Sequence, residues 1–201
     1  MRKLLAGMAC LAAVTIPAGV VLDNARVRVF RAGPPLVLAD HPAAVVVPLE
    51  DGATRKAGEA YWSGDPALEQ RPGARDTRAF ILVEPKDTLP SPLAEAKPTP
   101  AGSKPGEGVF TGMSFQPLFE NDRVMVIRGR MEVGAREGFH THASDIVIVH
   151  LSGGTIEDTA AGTTKLNRWK PGDVEFEARG SSHSARNVGP AIEAVLVTLK
   201  P

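Results

Sequence analysis

The chain has 201 residues, and its 23 basic side chains are matched by 23 acidic ones. That length suits one full domain or two small ones, and the charge balance supplies neither a basic groove for nucleic acid nor a basic face for an anionic membrane. With 20 glycines, 17 prolines and only 5% aromatic residues, turns and short strands are favoured over long helices.

In chain order, "MRKLLAGMACLAAVTIPAGVVL" comes first: Arg2 and Lys3, then an apolar stretch from Leu4 to Leu22. This layout reads as a secretory signal peptide over residues 1–22, with Ala18 as the small-residue candidate for cleavage, and implies a periplasmic or secreted protein. Left uncleaved, the segment is just long enough for a single membrane anchor, the one circumstance in which a membrane partner is expected. Cys10, the only cysteine, lies inside this leader. The mature chain therefore has no disulfide and no thiolate ligand, and any metal must be held by histidine, carboxylate or carbonyl groups.

Residues 23–86 follow, with strand candidates "VRVFR", "AVVVPL" and "RAFILVE", rich in Val and Ile and bounded by turn residues. Residues 87–108 continue a proline-rich run that starts near Glu84 and lacks apolar periodicity, so they read as an extended linker. Residues 109–201 hold "RVMVIRG", "DIVIVHL", "GTIEDT", "TTKLNRW", "DVEFEA" and "IEAVLVTL". The fold class is all-β, a sandwich or small barrel.

The two halves resemble each other. "LDNARVRVFRA" echoes "FENDRVMVIRG", "KAGEAYW" echoes "KPGDVEF", and "AFILVEPK" echoes "AVLVTLKP". His41 and His142 each precede a glycine, Gly52 and Gly153, by the same interval, across "AAVVVPLEDG" and "SDIVIVHLSG". Matched segments in one order indicate an internal duplication of a β-rich unit. The second copy has an insert with room for an extra hairpin turning at "AAGTT", so the N-terminal lobe is the smaller.

The candidate chemistry is in "GFHTHASDIVIVHLSGG". Side chains at i and i+2 of a strand share a face, so His140 and His142 can grip one ion. Asp145, the adjacent acid, sits at an odd spacing from the pair, which turns it to the opposite face unless a bulge intervenes. His150 is too far along the strand to reach the same metal and reads as a lining or packing residue, like the lone His41. Glu175 and Glu177 alternate with Val174 and Phe176 as the polar face of a half-buried strand. Arg136 and Glu137 read as solvated loop charges near a cavity mouth, where they could also orient a carboxylate. Tyr61 and Trp62 read as core or lobe-contact residues.

Here the sequence resembles the cupin superfamily. Gly134, His140, His142 and Gly153 fall in register with the first cupin motif, with Ile146 in the place of its glutamate. Gly172, Gly180, His183 and Asn187 match the second, with Ala178 in the place of its proline. The resemblance implies two double-stranded β-helix (jelly-roll) lobes, a bicupin, with 109–201 as the cupin domain and 23–86 as a reduced, degenerate copy that has Glu69 near the place of His183. It makes His140, His142 and His183 the metal ligands, for a divalent ion that sequence does not choose among Fe, Mn, Ni, Cu and Zn. Without the glutamate such a site is one unit more positive, which suits a small anionic ligand.

Two functions follow as expectations. One is an exported metalloprotein acting on a small molecule, dioxygenase-like in its three-histidine set. The alternative is a non-catalytic small-molecule-binding or structural cupin with a vestigial site. The fused N-terminal lobe would replace a partner barrel, giving a monomer or homodimer.

Overall fold

A computed structural model of the chain describes residues 19–33, 36–52, 55–66, 78–90 and 110–201. Residues 1–18, most of the expected linker, and Glu69 lie outside these. The described residues form two antiparallel sheets. The N-terminal sheet contains β1 (Gly19–Asp23), β2 (Val27–Ala32), β3 (Val45–Pro48), β4 (Tyr61–Trp62) and β5 (Phe80–Pro85), in the order β1-β2-β5-β3-β4. The C-terminal lobe contains β6 (Phe110–Glu120), β7 (Val124–Thr141), β8 (Asp145–His150), β9 (Gly154–Ala160), β10 (Thr163–Trp169), β11 (Val174–Glu177), β12 (Ser182–Asn187) and β13 (Ile192–Leu199).

β7 makes the lobe a jelly roll. Its first half, Val124 to Met131, pairs with β13, and its last residues, Arg136 to Thr141, pair with β12. Gly134, at φ +77°, lies between the two halves in a conformation that only glycine adopts freely. One strand thus serves two sheets, β6-β7-β13-β8-β11 on one side and β10-β9-β12-β7 on the other. The hairpin expected in the insert is β9–β10, closed by Ala161 and Gly162 at φ +51° and +76°, the left-handed pair of a tight hairpin turn.

The two halves repeat one pattern of strands and turn hydrogen bonds. The N-terminal order β1-β2-β5-β3-β4 reappears as β6-β7-β13-β8-β11. Asn24 Oδ1 accepts from the amides of Arg26 and Val27 at 2.8 and 3.0 Å, and Asn121 Oδ1 from those of Arg123 and Val124 at 2.9 and 3.0 Å. The amide of Lys56 is bonded by Glu59 as that of Lys170 is by Asp173. The structure corrects the alignment of the last strands and the histidine segment by one residue. Val45 pairs with Val83 and Trp62, whereas Val147 pairs with Val197 and Phe176. Val45 therefore matches Val147, and His41 falls opposite Ala143, not His142. Sequence alternation cannot detect such a slip in runs as uniformly apolar as "AAVVVP".

The two sheets pack face to face. Val27, Val29, Val45, Val47, Ile81 and Val83 form one buried cluster with Val124, Val126, Val147, Val149, Val195 and Val197. Each such side chain contributes about 1.5–3 kcal/mol by leaving water. Because Val147 and Val149 face this interlobe core, Ile146, Ile148 and His150 face the barrel interior. Asp145 is turned away from the interior, as its parity requires. It meets Arg26 Nε at 2.9 Å in a fully buried ion pair and accepts from the Arg179 amide at 2.9 Å.

Candidate metal centre

His140 is the cross-strand partner of His183, so these two imidazoles enter the barrel side by side. His142 lies one step beyond, anchored by its own backbone: its amide donates to Ser181 and its carbonyl accepts from Gly180, at 2.9 and 2.8 Å. Gly180 has φ +81°, which explains a glycine at that motif position. The three rings stand 4.7 to 5.1 Å apart between centroids, and one nitrogen from each falls within 4.8 Å of the others.

The tautomers are set from behind. A carbonyl only accepts, so the 2.9 Å contact of His140 Nδ1 with Gly138 O fixes its proton on Nδ1. His183 Nδ1 donates to Asp158 Oδ1 at 2.8 Å, the carboxylate–histidine arrangement that orients metal-binding imidazoles. Both contacts direct Nε2 inward. The buried Nε2 atoms of His142 and His183 make no hydrogen bond, an arrangement that costs stability unless something takes their lone pairs. These residues fit a divalent metal.

Two carboxylates absent from the expected ligand set join them. Glu177 places Oε2 3.3 Å from His142 Nε2 and Oε1 3.7 Å from His183 Nε2. Glu137 places Oε2 3.6 Å from His183 Nε2. The polar face of β11 is thus turned to the barrel interior, and Glu137 is no solvated loop charge. β7 advances three residues from His140 to Glu137 while β12 advances two from His183 to Ala185. That extra residue is a bulge, which brings Glu137 onto the histidine face. Arg136 stays exposed.

Burial together with the nearby His183 and His140 holds His142 down to about 4, so it is neutral and ready to ligate. Burial also acts downward on His183, but the Asp158 hydrogen bond and the charges of Glu177 and Glu137 outweigh it and raise it to about 9. Glu177 rises to about 7 because it is buried, an effect that His183 partly offsets. Burial likewise raises Glu137.

A cavity lies beside the triad and opens to solvent. His150, buried and with neither ring nitrogen hydrogen-bonded, stacks on Trp169 there at 4.4 Å and 11°, near Glu175. It lines the cavity away from the triad. His41 contacts Glu84 at 2.6 Å and the Phe30 ring, in the other sheet. Trp62 packs on the interlobe core and Tyr61 in the outer cluster of the N-terminal sheet.

The shared bent strand and three converging histidines, on both motifs, decide the fold. The C-terminal lobe is a cupin barrel. No family model and no curated protein matches the sequence. Among solved structures, a cupin domain from Bordetella pertussis is 22% identical, with a TM-score of 0.42 over 45% of this chain and 95% of that one. The polyketide cyclase RemF from Streptomyces resistomycificus is 18% identical, with a TM-score of 0.41 over 47% of this chain and 69% of that one. An RmlC-like cupin from Shewanella frigidimarina is also 18% identical, with a TM-score of 0.38 over 53% and 86%. The cupin reading rests on this chain's own strand order and residues.

Proposed function

We propose that this protein is an exported, metal-dependent cupin enzyme that moves a proton on a small hydroxyl- or carbonyl-bearing molecule. The observation that supports it most directly is the convergence of His140, His142 and His183 with two orphaned, buried Nε2 atoms at its centre. A divalent ion held there would polarise a substrate oxygen. The chain's own contribution is Glu137. Its half-buried carboxyl is pushed up by desolvation and lies beside His183, a position that suits a group that takes and returns a proton. This acid favours an enzyme over a vestigial binding barrel.

The cavity composition alters the expected ligand. Glu137, Asp158, Glu175 and Glu177 all line it, and four carboxylates outnumber the charge of one divalent ion. A neutral compound suits such a lining better than an anion does. His150, with an unpaired donor and acceptor beside Trp169, supplies a polar contact at the far side. Cleavage after Ala18 would leave Gly19, the first residue of β1, as the mature N-terminus, so export and an intact sheet are compatible. The N-terminal sheet covers the outer face of the barrel and acts as a built-in partner, which makes a monomer the expected state.

The test is elemental mass spectrometry on protein purified without chelator or histidine tag, with His183→Ala beside it. About one iron, manganese, nickel, copper or zinc per chain, lost in the variant, is the expected result. Absence of metal after reloading would refute the reading. With metal established, proton exchange from solvent into small hydroxycarbonyl compounds should depend on Glu137. Oxygen consumption instead would move the assignment to dioxygenase chemistry.

A further inference from the structure

Glu177 lies on β11, opposite the position where the cupin pattern has its glutamate. In the β8–β11 ladder the cross-strand partner of Ile146 is Glu177. Directly opposed residues of an antiparallel pair point to the same face with Cβ atoms roughly 4.5–5.5 Å apart. A carboxylate from either position can therefore enter the same region of the barrel. Here the β8 position is apolar and the β11 position carries the acid.

The distances agree. Ligand atoms about 2.1 Å from one shared ion stand roughly 3.0–3.5 Å apart. Glu177 Oε2 is 3.3 Å from His142 Nε2, and its Oε1 is 3.7 Å from His183 Nε2, while neither nitrogen is hydrogen-bonded. His142, with 7% of its surface exposed, is a buried polar side chain directed at this carboxylate with no other partner for its Nε2. Glu137 approaches only His183, and Glu175 lies near His150. Glu177 alone touches two of the three histidines.

We propose that Glu177 is the fourth protein ligand of the metal, a carboxylate transferred from β8 to the facing position on β11. This inference rests on the three-histidine reading above and deepens it. A site of three neutral imidazoles and one carboxylate carries one unit less positive charge than the histidines alone provide. Hard, oxygen-tolerant ions such as Mn(II) and Fe(II) gain relative to Cu(II) from the oxygen ligand. The transfer also leaves the β8 side of the ion bounded by Ile146, so substrate must approach from the side of His183 and Glu137, where the cavity lies.

The test uses the mature protein, Glu177→Gln, and Glu175→Gln as a same-strand comparison. Affinity for Zn(II) and Mn(II) is measured by competition with a chromophoric chelator, and the ligand field by the visible spectrum of the Co(II)-loaded protein. Circular dichroism verifies that each variant is folded. Expected are an affinity loss of tenfold or more in Glu177→Gln, about the size of effect that even indirect metal contacts produce, and a changed Co(II) spectrum. Glu175→Gln should stay within about twofold of the parent with the same spectrum. A Glu177→Gln protein that binds within twofold and keeps the parent spectrum would overturn the proposal while leaving the three-histidine site intact. A parent protein that binds none of these ions would overturn both.

Discussion

The two halves share one strand order, yet the histidine cluster lies in only one of them. With strands matched through their pairing, Ala44 and Val46 occupy the places of Ile146 and Ile148. Tyr61 and Ser63 occupy those of Glu175 and Glu177. In the N-terminal sheet that face closes into an apolar cluster of Leu36, Ala44, Val46, Tyr61, Phe80 and Leu82. Ser63, fully buried, uses its hydroxyl to accept from the Ala44 amide. In the C-terminal lobe the same face carries two glutamates and is covered by a second sheet, β10-β9-β12-β7, which supplies His183 and Asp158. Among the described residues the N-terminal half has no counterpart to β9, β10 and β12. A site therefore needs both polar residues on the inner face and a second layer that keeps them from water.

The largest effect should come from breaking the contact that makes the two sheets one structure. Arg26 and Asp145 pair across the lobes, with side chains 5% and 0% exposed. Removing one partner of a buried pair costs about 3–5 kcal/mol because the other charge is left uncompensated. Arg26→Met should lower the urea midpoint accordingly, with Arg26→Met/Asp145→Leu recovering much of the loss. A single variant that loses less than about 1 kcal/mol would mean that the sheets are held by valine packing alone.

The next effect separates the two copies at their histidines. Asp158→Asn weakens the hydrogen bond that orients His183, and should reduce metal affinity about 10–100-fold, measured by chelator competition. His41→Ala, which removes a histidine bonded only to Glu84 in the other sheet, should leave affinity unchanged. A loss in His41→Ala would break the assignment of all metal chemistry to the barrel. A finer test moves the carboxylate back. Ile146→Glu in a Glu177→Ala background should regain metal relative to Glu177→Ala alone, because the two positions face each other in the ladder.

Much of this was legible from the chain. Nine strands and the insert hairpin follow from alternation and turn residues, and the resemblance to the cupin motifs singles out the three histidines that the structure brings together. Asp145 was correctly placed on the far face by counting alone. What escaped is instructive. β6 is not among the strands expected from the sequence; it runs from Phe110 to Glu120 and shifts register at Gly112 and next to Pro117. β12, "SHSARN", has no apolar alternation because its inner positions bear site residues. Glu137 reads as a solvated loop charge, and the bulge that brings it onto the histidine face leaves no mark in the spacing. Glu177 is legible in principle: it shares a face with Glu175, but which face of β11 meets the barrel depends on Val174 and Phe176 packing on the other lobe.

The smallest effect concerns pH, and its sign differs between metal-free and loaded protein. In the metal-free site His183 is raised from its ordinary 6.5 to about 9, so the folded state holds its proton more tightly than the unfolded chain does. The stabilisation from that proton is complete below pH 6.5 and is lost as pH rises through 9. Glu177, raised to about 7, loses its contribution earlier, between 4.5 and 7. His142 acts the other way, adding stability as pH rises from about 4 to 6.5. From pH 8 to 9, beyond the titration of Glu177, only the His183 proton is changing among these three. With chelator present, the urea midpoint should fall across that window in the parent and stay flat in His183→Ala. Metal binding must expel the same proton, so affinity should rise over the same interval, by up to about tenfold per pH unit. Opposite slopes for stability and affinity, both abolished by one substitution, would tie the proton and the metal to the same imidazole. Parallel slopes would place the titrating group elsewhere.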